Sequence, residues 1–241
     1  MNRLKIATLS AMLELFLSSA HGQVSLNFII PGQTAAYQEI LNYYDGGASQ
    51  EGQVGPNYGI TFGSGALSLL NYPFSGSNVG DEPGGGNSMF FMGGVQGEIM
   101  NVAAGFTGGF SFYETSLTRG SASAGYVNVY SGLDGTGTLL ASLSVPATGA
   151  NRREPILGVW DPVGVNFAGT AESVDFSGSD ELRTENPIAF SDVTLGSATP
   201  IVVPEPSMVA LGLIAASAFR LVWLGRGRFL RYSAMAVVRT S

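Results

Sequence analysis

The sequence contains no cysteine and only one histidine, His21, among its 241 residues. Without cysteine, neither a disulfide nor a thiolate metal site can stabilise the chain. With a single histidine close to the N-terminus, Ser-His-Asp catalysis, Cys-His catalysis and histidine-ligated zinc, copper or iron are excluded. Stability must therefore come from a packed hydrophobic core.

Basic residues are scarce in the central part of the chain. Residues 23–203 hold 16 acidic residues, four arginines and no lysine, which gives a formal net charge of −12. Phosphate binding relies on clustered Lys and Arg, so nucleic acid is excluded as a partner. Such a charge favours solubility outside the cell.

The N-terminus has the pattern of a secretory signal peptide over residues 1–22. Arg3 and Lys5 precede an apolar stretch at 6–17, and small residues at 18–22 provide a cleavage site. Twelve apolar residues are too few for a bilayer, which needs about 20. The sequence therefore predicts export across the inner membrane.

Residues 23–196 show a hydrophobic period of two almost throughout, the pattern of β-strands. Strands are predicted at 24–30, 58–62, 66–70, 99–102, 109–115, 126–130, 139–145, 163–167, 174–176 and 188–195. Many short strands joined by glycine-rich turns predict an all-β, antiparallel β-sandwich or jelly-roll-like ectodomain. Residues 34–44 are the exception, since their apolar spacing fits either one helix or a covering loop.

The last predicted strand changes phase in its middle. Ile188 and Phe190 are apolar at even positions, whereas Val193 and Leu195 are apolar at odd positions. One regular strand cannot bury both pairs on one face, so we predict a β-bulge around Ser191–Asp192.

The loops offer a candidate structural calcium site, and no other cofactor is expected. Calcium takes oxygen ligands from loop carboxylates, and Asp45, Glu51 and the bulged Asp192 are the candidate ligands. Residues 75–87 carry five glycines and almost nothing apolar, which predicts a long, mobile loop.

Carboxylates and aromatic side chains provide the other candidate chemistry. A glycoside hydrolase needs two carboxylates about 5–10 Å apart. Glu114 follows Phe110 and Phe112 at alternate positions, so it would lie on the same face of the strand as these two rings. We expect the strand to end there, however, and Glu114 to reach solvent. Exposed aromatic faces can stack on sugars or pack across strands. The candidates are Tyr43, Tyr44, Tyr58, Tyr113, Tyr126, Tyr130 and Trp160.

The C-terminal region has the layout of a membrane segment. After a linker at 197–203 come Pro204, Glu205 and Pro206, and then an apolar run that predicts a transmembrane helix at about 208–224. Four arginines flank or follow this run: Arg220, Arg226, Arg228 and Arg231. By the positive-inside rule, residues 233–241 form a cytoplasmic tail and the acidic body lies outside.

The Pro-Glu-Pro triplet, the apolar segment and the arginine cluster at 204–232 resemble the PEP-CTERM sorting signal of exported bacterial proteins. The stretches 42–47, 55–62, 128–137, 162–169 and 188–196 look like the extracellular domain that is common in PEP-CTERM proteins. The resemblance implies an exosortase as the processing partner, an association with surface and exopolysaccharide biology in Gram-negative bacteria, and no catalytic residues.

Together these features predict a non-enzymatic, surface-sorted protein of the cell envelope or extracellular matrix. The C-terminal helix would hold it in the membrane until processing delivers it to the cell surface or beyond. An alternative is a carbohydrate-binding module of the exopolysaccharide matrix, with extracellular polysaccharide as partner. A carboxylate-dependent glycoside hydrolase is a third hypothesis.

Overall fold

The computed structural model describes residues 23–74, 76–91, 98–116, 124–177 and 188–202. Regular structure in this part of the chain consists of ten strands and the 3₁₀ turn Leu133–Gly135. The strands are β1 (Val24–Leu26), β2 (Tyr37–Glu39), β3 (Ile60–Phe62), β4 (Ala66–Leu69), β5 (Ser88–Phe91), β6 (Ile99–Ser116), β7 (Gly125–Tyr130), β8 (Leu139–Val145), β9 (Asp161–Asp175) and β10 (Ile188–Leu195).

All pairs of these strands are antiparallel. The strand order is β2-β4-β5-β10-β6-β9-β7-β8, with β1 added beside β10 and β3 beside β6. The prediction of an all-β, antiparallel fold is confirmed, and the arrangement is consistent with a β-sandwich.

Strands β6 and β9 are longer than predicted. They lie in the middle of the strand order and connect β2, β4, β5 and β10 on one side with β7 and β8 on the other. The 18-residue β6 pairs with β3 near its start, where Ile60 faces Val102, and with β10 near its end, where Phe190 faces Glu114. Its register against β9 shifts between Asn101 and Phe106. Such irregularities interrupt the hydrophobic alternation, which is why the sequence predicts two strands where the structure has one.

The core is dominated by phenylalanine. Phe176 lies at its centre, with ring-centroid distances of 5.0 Å to Phe91 and 5.1 Å to Phe190. Phe110 and Phe112 join the same group, at 6.2 and 6.4 Å from Phe176. All five rings are buried, and each buried side chain of this size contributes about 1.5–3 kcal/mol to folding.

The predicted bulge in β10 is confirmed. The register against β6 shifts between Ser191 and Thr194, and Asp192 has a left-handed backbone with φ 46°. Because of this extra residue, both apolar pairs of the strand point into one core cluster: Ile188, Phe190, Val193 and Leu195.

Of the two alternatives predicted for residues 34–44, the helix is wrong. The segment instead contains β2, which pairs with β4, and a turn at 41–44. Leu41 has φ 43°, which no right-handed helix accommodates, and the backbone N–H of Ile40 donates to Ala66 O at 3.0 Å. Pairing with a distant strand thus overrides the local helical period.

Two predicted connections are packed against the body. In the segment 75–87, Val79 is 1 % exposed and Glu82 is 8 % exposed, so these residues pack against the body while Asn78, Asp81 and Gly85 remain exposed. In the predicted linker, the N–H of Ile201 donates to the Thr194 hydroxyl at 3.0 Å and the Ile201 carbonyl accepts from the Ser25 hydroxyl at 2.8 Å. The ordered body therefore extends at least to residue 202.

Within the described residues, no helix is long and apolar enough to cross a membrane. The predicted signal peptide at 1–22, the transmembrane helix at 208–224 and the tail at 233–241 lie outside the described residues.

Candidate functional site

The three candidate calcium ligands do not meet in the structure. In the part of the chain that the structure describes, no group of three or more acidic or histidine side chains is placed to hold a metal ion. Asp45 is an exposed residue of the loop after β2, where its backbone bridges to Asn57. Glu51 belongs to the same loop, whereas Asp192 is fully buried in β10.

Glu51 has a structural partner. The side chain of Gln38, which is only 2 % exposed, donates to the two Glu51 carboxylate oxygens at 2.6 and 2.9 Å in the amide orientation that satisfies both groups. This bond fastens the loop that carries Asp45 and Glu51 to strand β2.

Asp192 instead lies beside Glu82, a residue that the sequence did not single out. Each Glu82 carboxylate oxygen accepts a backbone N–H, from Gly84 at 2.9 Å and from Gly86 at 2.5 Å. The Asp192 carboxyl group is fully buried and lies against Gly84 and the Glu82 carboxyl group. Burial, and then the neighbouring Glu82, raise the pKa of Asp192. We call these two residues the Glu82–Asp192 pair.

Glu114 is buried rather than exposed at the rim. Strand β6 continues through it to Ser116, and its carboxyl group is 0 % exposed with no hydrogen-bond partner on either oxygen. Burial, together with the charge of Asp161 on the neighbouring strand, raises its pKa to about 8. A glycosidic acid must reach its substrate, so the burial of Glu114 contradicts that role.

The aromatic candidates divide by exposure. Tyr43 and Tyr44 are buried at 4 % exposure each, so their expected exposure is wrong. The Trp160 ring is partly buried, and its indole N–H donates to the Gly80 carbonyl at 2.9 Å. Tyr58 and Tyr126 are 48 % and 50 % exposed, as expected.

A groove lined by residues of β2, β4, β5 and β10 contains an aromatic side chain that is absent from the candidates predicted from the sequence. Tyr37 of β2 is 49 % exposed and its ring meets Phe90 of β5 edge to face, with centroids 6.1 Å apart. The groove has a volume of about 190 Å³. Its lining comprises Tyr37, Leu69, Gly76, Asn78, Val79, Phe90, Leu157, Ile188 and Ala189. We call it the Tyr37 groove.

The floor of the Tyr37 groove is a second apolar cluster. Leu69, Val79, Leu157 and Ala189 are buried together there, and Phe90 and Trp160 pack against them. At the rim, Asn78 is exposed. None of the described lining residues is an Asp or a Glu. The groove therefore combines an aromatic wall, a rigid apolar floor and an amide, and these groups can bind but provide no acid or base.

A second depression, of about 160 Å³, adjoins Tyr58. Its lining is almost entirely apolar or glycine, including Ile60, Val102 and Phe106. The Tyr58 ring stacks on Tyr44 at 6.3 Å with an interplanar angle of 12°. This stacking already provides Tyr58 with an aromatic partner.

The residues around Tyr37 and Glu82 indicate only weakly that these two side chains belong to candidate sites. The spacing around Tyr37 fits a helix or a loop, and the glycines around Glu82 predict a solvent-exposed segment. The three glycines that follow Pro83 were the available signal, because glycine lets backbone N–H groups approach a carboxylate closely. The sorting residues 204–206 and Arg220, Arg226, Arg228 and Arg231 lie outside the described residues.

Comparison with known proteins gives distant structural likenesses only. No family model and no curated protein matches the chain. A β-1,3-glucan binding CBM6 from Bacillus halodurans is 19 % identical, covering 48 % of this chain and 81 % of its own, with a TM-score of 0.30. The K1 cleaved adhesin domain of Lys-gingipain from Porphyromonas gingivalis W83 is 19 % identical, covering 72 % of this chain and 97 % of its own, with a TM-score of 0.36.

A family 29 carbohydrate binding module, CBM29-2, is 14 % identical, covering 67 % of this chain and 91 % of its own, with a TM-score of 0.32. All three TM-scores are below 0.5, so the function of this chain has to be argued from its own geometry.

Proposed function

We propose that this protein is a non-enzymatic carbohydrate-binding protein of the cell surface and that the Tyr37 groove is its glycan site. The observation that carries the proposal is the half-exposed ring of Tyr37, held edge to face by Phe90 above a packed apolar floor. A fixed aromatic wall provides a flat apolar face against which the C–H face of a sugar ring can pack.

The fixed geometry lowers the entropic cost of binding. Phe90 limits the motion of the Tyr37 ring, and the floor residues Leu69 and Leu157 are buried at 7 % and 2 % exposure. Groups that are ordered before the ligand arrives lose little freedom on binding. The exposed amide of Asn78 can donate to and accept from sugar hydroxyls.

The placement of the carboxylates favours binding over hydrolysis. Glu114 and Asp192, whose pKa values are raised, are both 0 % exposed. Neither can reach a glycan in the Tyr37 groove without unfolding of the surrounding strands.

Glycan binding by the full-length chain tests this proposal. Tyr37→Ala is expected to weaken binding to the preferred glycan about tenfold or more, which corresponds to about 1.4 kcal/mol. Tyr126→Ala is the matched control, because Tyr126 is equally exposed but lies on β7, which is six positions away from β2 in the strand order. Isothermal titration would measure both. No binding across a broad glycan panel, or equal losses in the two variants, would contradict the proposal.

We also propose that the protein reaches the surface as an exosortase substrate. The support is the Pro204-Glu205-Pro206 triplet, followed by an apolar segment and arginines, at the opposite end of the chain from a signal-peptide pattern. Replacing the triplet by three alanines should abolish C-terminal processing and surface delivery, whereas Ser207→Ala should leave both intact. Unchanged processing in the triple variant, measured by mass spectrometry and surface labelling, would contradict exosortase sorting.

A further inference from the structure

Among the described residues, the Tyr37 groove is lined by uncharged groups only. The lining consists of apolar side chains, a glycine, the phenol of Tyr37 and the amide of Asn78. The phenol and the amide can donate and accept hydrogen bonds, but neither can neutralise an anion. A carboxylate placed in the groove would therefore lose part of its hydration without gaining a cationic partner, and this desolvation opposes binding.

A negative charge lies on the same face of the edge strand as the aromatic wall. Glu39 follows Tyr37 at the alternate position of β2, and both side chains are exposed, whereas Gln38 between them is buried. Two residues along a strand span about 6.5–7 Å, so the Glu39 side chain leaves the strand next to Tyr37. It would repel a second carboxylate in the groove, most strongly at low ionic strength.

The basic residues of the described part do not offset this charge inside the groove. They are Arg152 and Arg153, which are exposed in a turn where the Asn151 N–H donates to the Ile156 carbonyl at 2.7 Å. Neither arginine lines the groove. Residues 23–203 have a formal net charge of −12, so the field of the whole body also favours a neutral ligand over an anion.

The size of the groove fits one sugar ring. Its volume of about 190 Å³ lies below the range of about 300–1,000 Å³ for pockets that bury a drug-sized ligand. Tyr37 provides one exposed aromatic face, and Phe90 meets it edge to face rather than extending that face. A longer glycan would therefore place one ring in the groove and its other rings outside.

We propose that the Tyr37 groove takes one ring of a neutral sugar and that Glu39 makes it reject uronic acids. This inference rests on the proposed glycan-binding function and names the class of ligand for the same site. A neutral hexose has a hydroxymethyl group where the corresponding uronic acid has a carboxylate. The two sugars thus differ in charge but hardly in shape, and charge is the property that the groove and Glu39 distinguish.

Matched pairs of methyl glycosides test this selectivity. The glycosides of glucose, galactose and mannose are compared with those of glucuronic, galacturonic and mannuronic acid by NMR titration of the full-length chain. At an ionic strength of about 10 mM, at least one neutral glycoside should bind, and its uronic acid counterpart should bind at least about tenfold more weakly. At an ionic strength of about 1 M, this ratio should fall at least about twofold, because salt screens the repulsion.

Glu39→Gln should strengthen binding of the uronic acid about threefold at low ionic strength and change binding of the neutral glycoside less than about twofold. Asp45→Asn is the matched control, because it changes the net charge equally at an exposed position that does not line the groove. It should leave the ratio between the two sugars unchanged. Tyr37→Ala should abolish the binding of both.

The outcomes separate this inference from the proposed function. Equal or tighter binding of the uronic acid, or an unchanged ratio in Glu39→Gln, would overturn the inference and leave glycan binding intact. Binding of uronic acids that disappears in the double variant Arg152→Gln/Arg153→Gln would overturn it as well. If an oligosaccharide binds through Tyr37 but no methyl glycoside does, the one-ring ligand is wrong. If no glycan binds at all, the proposed function fails and this inference fails with it.

Discussion

Replacing Glu114 by glutamine should stabilise the protein at neutral pH. Glu114 is a fully buried carboxyl group without a hydrogen-bond partner, and its pKa is raised from 4.5 to about 8. Between these two values the native chain retains a proton that the unfolded chain has released. Stability therefore falls as the pH rises through this window, by about 1.4 kcal/mol per pH unit.

The size of the effect follows from the two pKa values. At pH 7 nearly all unfolded chains have an ionised Glu114, while the native carboxyl group is still mostly protonated. The free energy of unfolding is then about 3 kcal/mol lower than below pH 4 because of this group alone. Glutamine has the same shape as protonated glutamate and does not titrate, so the variant should lose this part of the pH dependence.

Urea unfolding followed by circular dichroism, from pH 4 to pH 8, measures the prediction. The stability difference between Glu114→Gln and the wild type should be near zero at pH 4 and about 3 kcal/mol at pH 7. Glu39→Gln, at an exposed position of β2, is the control and should change stability by less than about 0.5 kcal/mol at any pH. A difference that does not vary with pH would refute the reasoning.

Two further substitutions test the packing. Phe176→Ala empties the centre of the phenylalanine cluster and should lower the free energy of unfolding, measured by urea titration, by about 3–5 kcal/mol. A loss below about 1 kcal/mol would contradict the central position of this ring. Gly164→Ala places a β-carbon that would overlap the Ala198 carbonyl, so it should displace the chain after β10 and lower the free energy of unfolding by about 1–3 kcal/mol. Unchanged thermal stability would show that this segment does not pack on β9.

The all-β fold and the bulge in β10 could be predicted because both depend on the alternation of apolar side chains along a strand, which is a local property of the sequence. A strand that buries Ile188, Phe190, Val193 and Leu195 in one cluster needs an extra residue between the pairs, whatever its neighbours are. The helical reading of 34–44 failed because β4 pairs with Tyr37–Glu39. Local spacing carries no information on such a partner.

The candidate sites were much less predictable. Asp192 could be identified from the bulge, but its neighbour Glu82 comes from a loop that reads as solvent-exposed. The Tyr37 groove likewise needs β2, β5 and the segment around Leu157 to come together. These contacts depend on which strands pair and which loops fold back on them.

Four properties can be derived from the amino-acid sequence alone: the strand class, the acidic body, the exclusion of cysteine and histidine chemistry, and the phase change in the last strand. Each of these follows from composition or from the two-residue period of a strand. The burial of Glu114, the proximity of Glu82 to Asp192 and the position of Tyr37 above an apolar floor become visible only in the folded chain. Burial and proximity depend on long-range packing, since a carboxylate has the same local pattern whether solvent or another strand covers it.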